Sequence, residues 1–198
     1  IDPVRYISNN SSGKMGYAIA EAAVQGGAIV NLVSGPVVLE ADKSINLFKI
    51  NSANEMLEAV CICMKSSDIF ISCAAVADYK PSNYSDTKIK KENSDNLEIN
   101  LEKNHDILSE IAEQFSSAYI VGFAAETSDV NSNAKKKLDS KNLNMIISND
   151  VSDKSIGFDS DENEVHVITT NETIFIKKDK KIRIAREILN IISINIKS

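Results

Sequence analysis

Apolar residues recur along this chain with two alternating rhythms, one at helical spacing of about 3.6 residues and one nearly continuous over short runs. Met15, Ala18, Ile19, Ala22 and Ala23 share one helical face before Gly26-Gly27, and residues 28–33 then form an apolar run that stops at Ser34-Gly35-Pro36. A helix followed by a buried strand is the expectation. Residues 45–50 predict a short strand. Ser52 and Glu55 make a capping box ahead of Met56, Ala59, Val60, Cys63 and Met64. Residues 69–73, 119–123 and 144–148 read as further buried strands. Between them, a helix capped by Asn104 carries Ile107, Leu108, Ile111, Ala112 and Phe115, and residues 128–142 supply another helix. Residues 97–101 alternate like a half-exposed strand. A hairpin (164–169 and 173–177) and a helix bearing Ile184, Ala185, Ile188, Leu189 and Ile192 close the pattern.

Strands that are apolar throughout and interleaved with helices imply a mainly parallel sheet covered on both faces. The expected fold is a three-layer, Rossmann-like α/β domain over residues 1–198, with a C-terminal hairpin and helix. Ligands of such sheets bind beyond the carboxyl ends of the strands. The unusual sequences fall at those ends: Ser34-Gly35, residues 73–78, residues 123–126 and Asn149-Asp150. The opening stretch, residues 1–16, leads into the first helix with Ser11 or Ser12 as its cap, Gly13 for close approach and Lys14 in the first turn. That combination suits an anion. A loop of this kind normally follows a strand, so a strand and a glycine-rich turn are expected upstream of Ile1. Residues 79–96 form a long irregular segment, which in a compact domain points to a functional flap or disorder.

Composition narrows the function. Twenty-two Lys and Arg against 28 Asp and Glu give a net charge of −6, which argues against a nucleic-acid partner. Clustered cations therefore carry information. No apolar run reaches membrane-spanning length, and no signal peptide is seen, so a cytoplasmic protein is expected. Cys61, Cys63 and Cys73, with His105 and His166, match no zinc spacing and are expected to be reduced core thiols. There is no Gly-x-x-x-x-Gly-Lys-Ser/Thr, which excludes a P-loop. Gly13-x-x-Gly16 is only a remnant of a dinucleotide fingerprint.

Each candidate residue has a plain alternative. Lys88, Lys90 and Lys91 are an exposed basic turn or a phosphate contact. Lys137 and Lys141 share a helix face, which is a solvated stripe unless an anion relieves their repulsion. Asp78 caps its own turn or holds a cation or ribose hydroxyl. Phe123 is core or stacks on a base. Asn104 and Asp106 cap a helix whose free N–H groups can also meet phosphates.

Taken in order, the blocks beginning at Asp2-Pro-Val-Arg-Tyr-Ile-Ser-Asn9, Ser11-Ser-Gly-Lys-Met-Gly16, Val33-Ser-Gly-Pro36, Ala74-Ala-Val-Ala-Asp-Tyr79, Lys88-Ile-Lys-Lys91, Asn104-x-Asp-Ile107, Val121-Gly-Phe-Ala-Ala-Glu-Thr127 and Asn149-Asp-Val-Ser152 resemble the phosphopantothenoylcysteine synthetase (phosphopantothenate–cysteine ligase) family. These are the second domains of bifunctional bacterial coenzyme A biosynthesis proteins. The resemblance implies a ligase that activates phosphopantothenate with CTP, using Mg²⁺, and joins the acyl-cytidylate to cysteine. It implies Asn9 and Lys88 as catalytic residues, with Ser11, Ser12 and Gly13 beside the substrate. Ser72, Cys73 and Ala74 would meet the cytosine, Phe123 the nucleoside and Asp78 the ribose or a cation-bound group. His105, Asp106, Ile107 and Leu108, with Lys137 and Lys141, would hold the triphosphate. His105 departs from the family, which usually has proline there. The resemblance further implies a homodimer, and a fused upstream decarboxylase domain would bring FMN. Two rivals stand beside it: a nicotinamide-dependent reductase, which needs a glycine fingerprint upstream, and a non-catalytic relative, which predicts loss of Asn9 or Lys88.

Overall fold

The structure, a computed structural model, describes residues 1–90, 96–126, 130–150 and 160–197. Helix α1 (Lys14–Gln25) precedes β1 (Asn31–Ser34) and β2 (Asn46–Lys49), which pair in parallel. Helix α2 (Ala53–Met64) leads to β3 (Ile69–Ser72), and β4 (Tyr79–Pro81) pairs with β5 (Leu101–Lys103) as an antiparallel ribbon. Then follow α3 (Ile107–Gln114), β6 (Tyr119–Glu126), α4 (Val130–Ser140), β7 (Met145–Asp150), β8 (Glu162–Ile168), β9 (Thr173–Lys180) and α5 (Lys181–Ile196). Strands β3, β6 and β7 run parallel in a five-stranded sheet of order β3–β6–β7–β8–β9, and β8 and β9 extend it in antiparallel fashion.

Alternation along each strand sorts the core into two layers. Val121, Met145, Ile147, Val165 and Val167 face α1 and α5, meeting Met15, Ile19, Ile184, Ile188 and Ile192. Ile120, Ala124, Ile146 and Ile168 face the other way, toward Val60 and Met64 of α2, Ile107 and Ile111 of α3, and Ala134 and Leu138 of α4. This is the expected three-layer arrangement. Among the described residues, no helix is long and apolar enough to cross a membrane.

Gly122 is where the second layer comes closest to the sheet. A Cβ there would lie 2.9 Å from Leu108 Cδ2 and 3.0 Å from Leu143 Cδ1. Gly122→Ala should therefore cost about 1–3 kcal/mol by overpacking, read as a lower urea midpoint with unchanged slope.

Several elements differ from expectation. Neither Ser11 nor Ser12 caps α1. Gly13 is its N-cap at φ 76°, with no side-chain cap, because glycine alone enters the helix from the left-handed region without strain. Asp106, not Asn104, caps α3 by accepting from Ser109 N at 3.1 Å. The ribbon strand starts at Leu101 rather than spanning residues 97–101, since its register is set by pairing Tyr79 with Lys103 and Pro81 with Leu101. The segment expected as one irregular flap is anchored at its start by this ribbon, and Ser82 N also donates to Asn100 O at 2.9 Å. Residues 91–95, with Lys91, lie outside the described residues, as do residues 127–129 and 151–159 and the blocks that end in them.

Among the described residues, the pair β1–β2 shares no ladder with the larger sheet. Two helices connect them. Tyr17 of α1 donates its hydroxyl to Ser34 Oγ at 3.2 Å, and the preceding residue, Gly16, lets α1 approach Cys73, just past β3, to 3.9 Å from where a Cβ would sit. On the opposite face, Val33 of β1 and Phe70 of β3 pack against the cluster that holds Val60 and Met64 of α2.

Candidate functional site

A cleft of about 450 Å³ opens past the carboxyl end of β3 and alongside β6. Strand β6 continues to Glu126, as β7 does to Asp150, so residues 123–126 and 149–150 lie within strands rather than beyond them. The floor of the cleft is Ser72 and Ala74, where β3 runs out, with Phe123 of β6 beside them. Asp78 and Tyr79 form one wall, and residues 105–108 at the start of α3, joined by Lys141, form the other. A strand end and a helix N-terminus thus converge on one hollow, which gives free N–H groups, a cation and a carboxylate around a partly apolar floor.

Four of the polar side chains are already engaged. Lys141 Nζ donates to Asp106 Oδ2 at 2.7 Å. Burial raises the Asp106 carboxyl, but Lys141 and the Ser109 amide outweigh it and leave the acid below its usual range. His105 Nδ1 meets Glu110 Oε1 at 2.8 Å, so this side chain is tied to its own helix. Asn104, freed from capping, donates Nδ2 to Ala77 O at 2.9 Å while its N–H bonds Asp78 O at 2.8 Å. It therefore fixes the turn carrying Asp78. Its Oδ1 is buried with no hydrogen-bond partner in the structure, in a residue that lines the cleft.

Not every expected residue lines this hollow. Cys73 turns away from it, into the α1–α5 layer, as alternation past Ser72 requires. Burial pushes its thiol up to about 12, slightly offset by the charge of Lys181. Iodoacetamide at pH 8 should therefore label Cys61 well before Cys73, checked by mass spectrometry of the native protein; equal labelling would contradict the buried placement. Lys137 sits exposed one turn before Lys141, outside the cleft lining. Phe123 packs on the core cluster and also lines the cleft.

The opening segment runs beside this site. Asn9 Nδ2 donates to Ala75 O at 3.1 Å, which seats the asparagine over the exit from β3. Ser11, Ser12 and Gly13 follow, half-buried, at the start of α1. Lys14 does not offer a bare cation there, because its Nζ is held by Asp161 Oδ1 at 2.7 Å. Lys88 is exposed on the segment after the ribbon and makes no ion pair among the described residues.

Sequence reasoning passed over Asp2 and Arg5. Asp2 is buried, 5% exposed, and its Oδ1 accepts from Val4 N and Arg5 N, both at 2.9 Å. The Arg5 guanidinium, helped by backbone amides and opposed by burial, holds this carboxyl well below the usual carboxylate range. The signal was present: an aspartate followed by proline, with an arginine three residues on, is a side-chain-closed turn.

A second hollow, of about 470 Å³, lies at the opposite end of the strands, among Tyr119, Asn144, Thr169 and Asn171. No Lys or Arg lines it, so it is unsuited to a polyphosphate.

A family model described as the DNA/pantothenate metabolism flavoprotein C-terminal domain matches residues 1–195. Over 191 residues the chain is 45% identical to the coenzyme A biosynthesis bifunctional protein CoaBC of Vibrio vulnificus (strain YJ016), covering 96% of this chain and 48% of that protein. With the Bacillus subtilis (strain 168) protein of the same name, identity is 47% over 182 residues, covering 91% and 43%. The chain thus spans about half the length of these relatives. A crystal structure of the C-terminal domain of CoaBC superposes with a TM-score of 0.83 at 40% identity, covering 100% of this chain and 89% of that one.

Proposed function

Since the chain belongs to the DNA/pantothenate metabolism flavoprotein C-terminal domain family, we propose that it is the phosphopantothenate–cysteine ligase of coenzyme A biosynthesis, working through an acyl-cytidylate. The observation that carries this is the near-full-length identity to CoaBC proteins, joined to a cleft whose cations and helix start suit a nucleotide polyphosphate.

The chemistry is a substitution followed by an acyl transfer. A carboxylate oxygen of phosphopantothenate attacks the α-phosphorus of CTP, and the bond to pyrophosphate breaks. The cysteine amine then attacks the acyl carbon, CMP departs with the C–O electron pair, and the amine proton passes to solvent. Lys88 stabilises charge that builds on the equatorial phosphate oxygens. Asn9 offers its amide to the acyl oxygen, which gains charge in the second step. Backbone at Ser72, Cys73 and Ala74 meets the cytosine, and Phe123 packs on the nucleoside. The α3 start at His105–Leu108, with Lys137 and Lys141, receives the triphosphate, while Ser11, Ser12 and Gly13 adjoin the substrate. When such a ligand enters, Lys141 exchanges its bond to Asp106 for one to phosphate.

Among the described residues no group of three or more His, Cys, Asp or Glu is placed to hold a metal ion. Mg²⁺ is commonly bound by one or two carboxylates together with substrate phosphates. Asp78 would share it, and the ion would supply positive charge to the polyphosphate.

The same reading makes the protein cytoplasmic and homodimeric, and accommodates a fused decarboxylase domain with its FMN. Support for dimerisation comes from the ribbon and the residues leading into it, where Tyr79 and Leu101 of the ribbon and Leu97 before it expose about half their surface (50%, 48% and 54%), an apolar patch of the kind that marks interfaces.

The test is pyrophosphate release with phosphopantothenate, Mg²⁺ and either CTP or ATP, with and without cysteine. Release that requires phosphopantothenate and prefers CTP is expected. Release with ATP alone would overturn the nucleotide assignment, and none with either would overturn the ligase.

A further inference from the structure

We infer that the Asp2–Arg5 pair is a positioning device for Lys88, gripping the backbone of the next residue and holding the lysine in register with Asn9. The inference rests on the role given to Lys88 above, but its geometry stands apart from that role.

Ile89 has both of its backbone polar groups taken by these two side chains. Its N–H donates to Asp2 Oδ2 at 3.1 Å, and its carbonyl accepts from Arg5 Nη2 at 3.0 Å. The fork is closed on itself, because Arg5 Nε donates to the same Asp2 Oδ2 at 3.0 Å and Arg5 Nη2 also pairs with it. Two side chains thus do for Ile89 what a neighbouring strand's backbone would do. A second tether lies four residues earlier, where Ser85 N donates to Ile1 O at 3.1 Å. The backbone nitrogen of Ile1 in turn donates to Arg5 O at 2.8 Å.

Lys88 stands between the two tethers. Ile89 is half-buried and Lys88 and Lys90 on either side are exposed, so the grip on Ile89 decides where both ammonium groups emerge. The same short segment carries Asn9, which is fixed to Ala75 O. Residues 1–9 therefore link the lysine-bearing segment to the exit of β3 through hydrogen bonds at both ends. A reacting group displaced by about 1 Å loses roughly 10²-fold in rate, which gives a tether on its backbone a catalytic consequence even though neither Asp2 nor Arg5 need touch the substrate. A surface ion pair would not need a buried carboxylate with every acceptor site used. This one has that arrangement.

Asp2→Asn puts an amide where an acceptor is required, and Arg5→Lys keeps the charge but cannot span the fork. Two readouts apply to each variant: hydrogen exchange at the Ile89 amide, with residues 119–126 as the internal control, and the kinetics of pyrophosphate release. Exchange at Ile89 should rise about tenfold or more with the control unchanged. The kcat for release should fall roughly 10²-fold while KM for CTP stays within about threefold. Arg5→Lys should fall between Asp2→Asn and the parent, and it carries the test should Asp2→Asn not fold. Unchanged exchange at Ile89 would overturn the grip. Raised exchange with unchanged kcat would overturn its positioning role. A loss seen only in KM would make the pair a binding element instead, which also overturns it. Lys88→Gln separates the two layers of argument: if it leaves release intact, the role of Lys88 fails while the exchange result still decides whether the grip exists.

Discussion

Pyrophosphate release should fall about 10²- to 10³-fold when Lys88 is replaced by Gln, the loss typical of removing one preorganised group that stabilises transition-state charge. The fold should not notice. Lys88 is exposed and forms no ion pair among the described residues, and surface changes of this kind usually stay within about 0.5 kcal/mol. Gln keeps length and polarity, so the difference isolates the charge. The expected pattern is a fall in kcat and kcat/KM together, since the lysine acts on charge that develops in the transition state. A variant within threefold of the parent would remove Lys88 from the chemistry, and the cations of the cleft wall would then have to serve the α-phosphate as well as the tail.

The largest effect on stability is expected at Ile147. It is fully buried, 0% exposed, on β7, the central strand of the five-stranded sheet. Its side chain meets the layer formed by Val121, Val165 and Ile184. Ile147→Ala should cost about 2–5 kcal/mol, the transfer loss plus an unfilled cavity. Ile62 on α2 is the control: it is 64% exposed, and Ile62→Ala should change stability by no more than about 0.5 kcal/mol. Urea unfolding of the two variants reads the difference directly. A small effect at Ile147 would mean that the α1–α5 layer relaxes to fill the space.

What the sequence revealed, and what it hid, follows from the range of the interactions. Helices and central strands were plain because their apolar periodicity is local and their faces are buried as the pattern demands, as with Ile184, Ile188 and Ile192 on α5. The location of the cleft was also readable, because Ser72, Ala74 and Asp78 follow one another at the exit of β3. Asn104 was misread as a cap because its true partners, Ala77 and Asp78, lie 27 and 26 residues away in sequence. The α1 cap was misread because two serines advertise a side-chain bond that Gly13 makes unnecessary. The ribbon was displaced because alternation fixes a strand's faces, whereas its ends depend on the partner. The fork at Ile89 was hidden for the same reason, since 84 residues separate Arg5 from the carbonyl it holds.

The separate β1–β2 ladder has a consequence for how the strand ends are held. Among the described residues, α1 and α2 join the two ladders, through the Tyr17–Ser34 hydrogen bond and through the packing of Val33 and Phe70 around Val60 and Met64. The placement of Ser34-Gly35 relative to Ser72 and Ala74 is therefore in the hands of helix side chains, and trimming one of them would shift one strand end against the other while leaving each ladder's own backbone bonds intact.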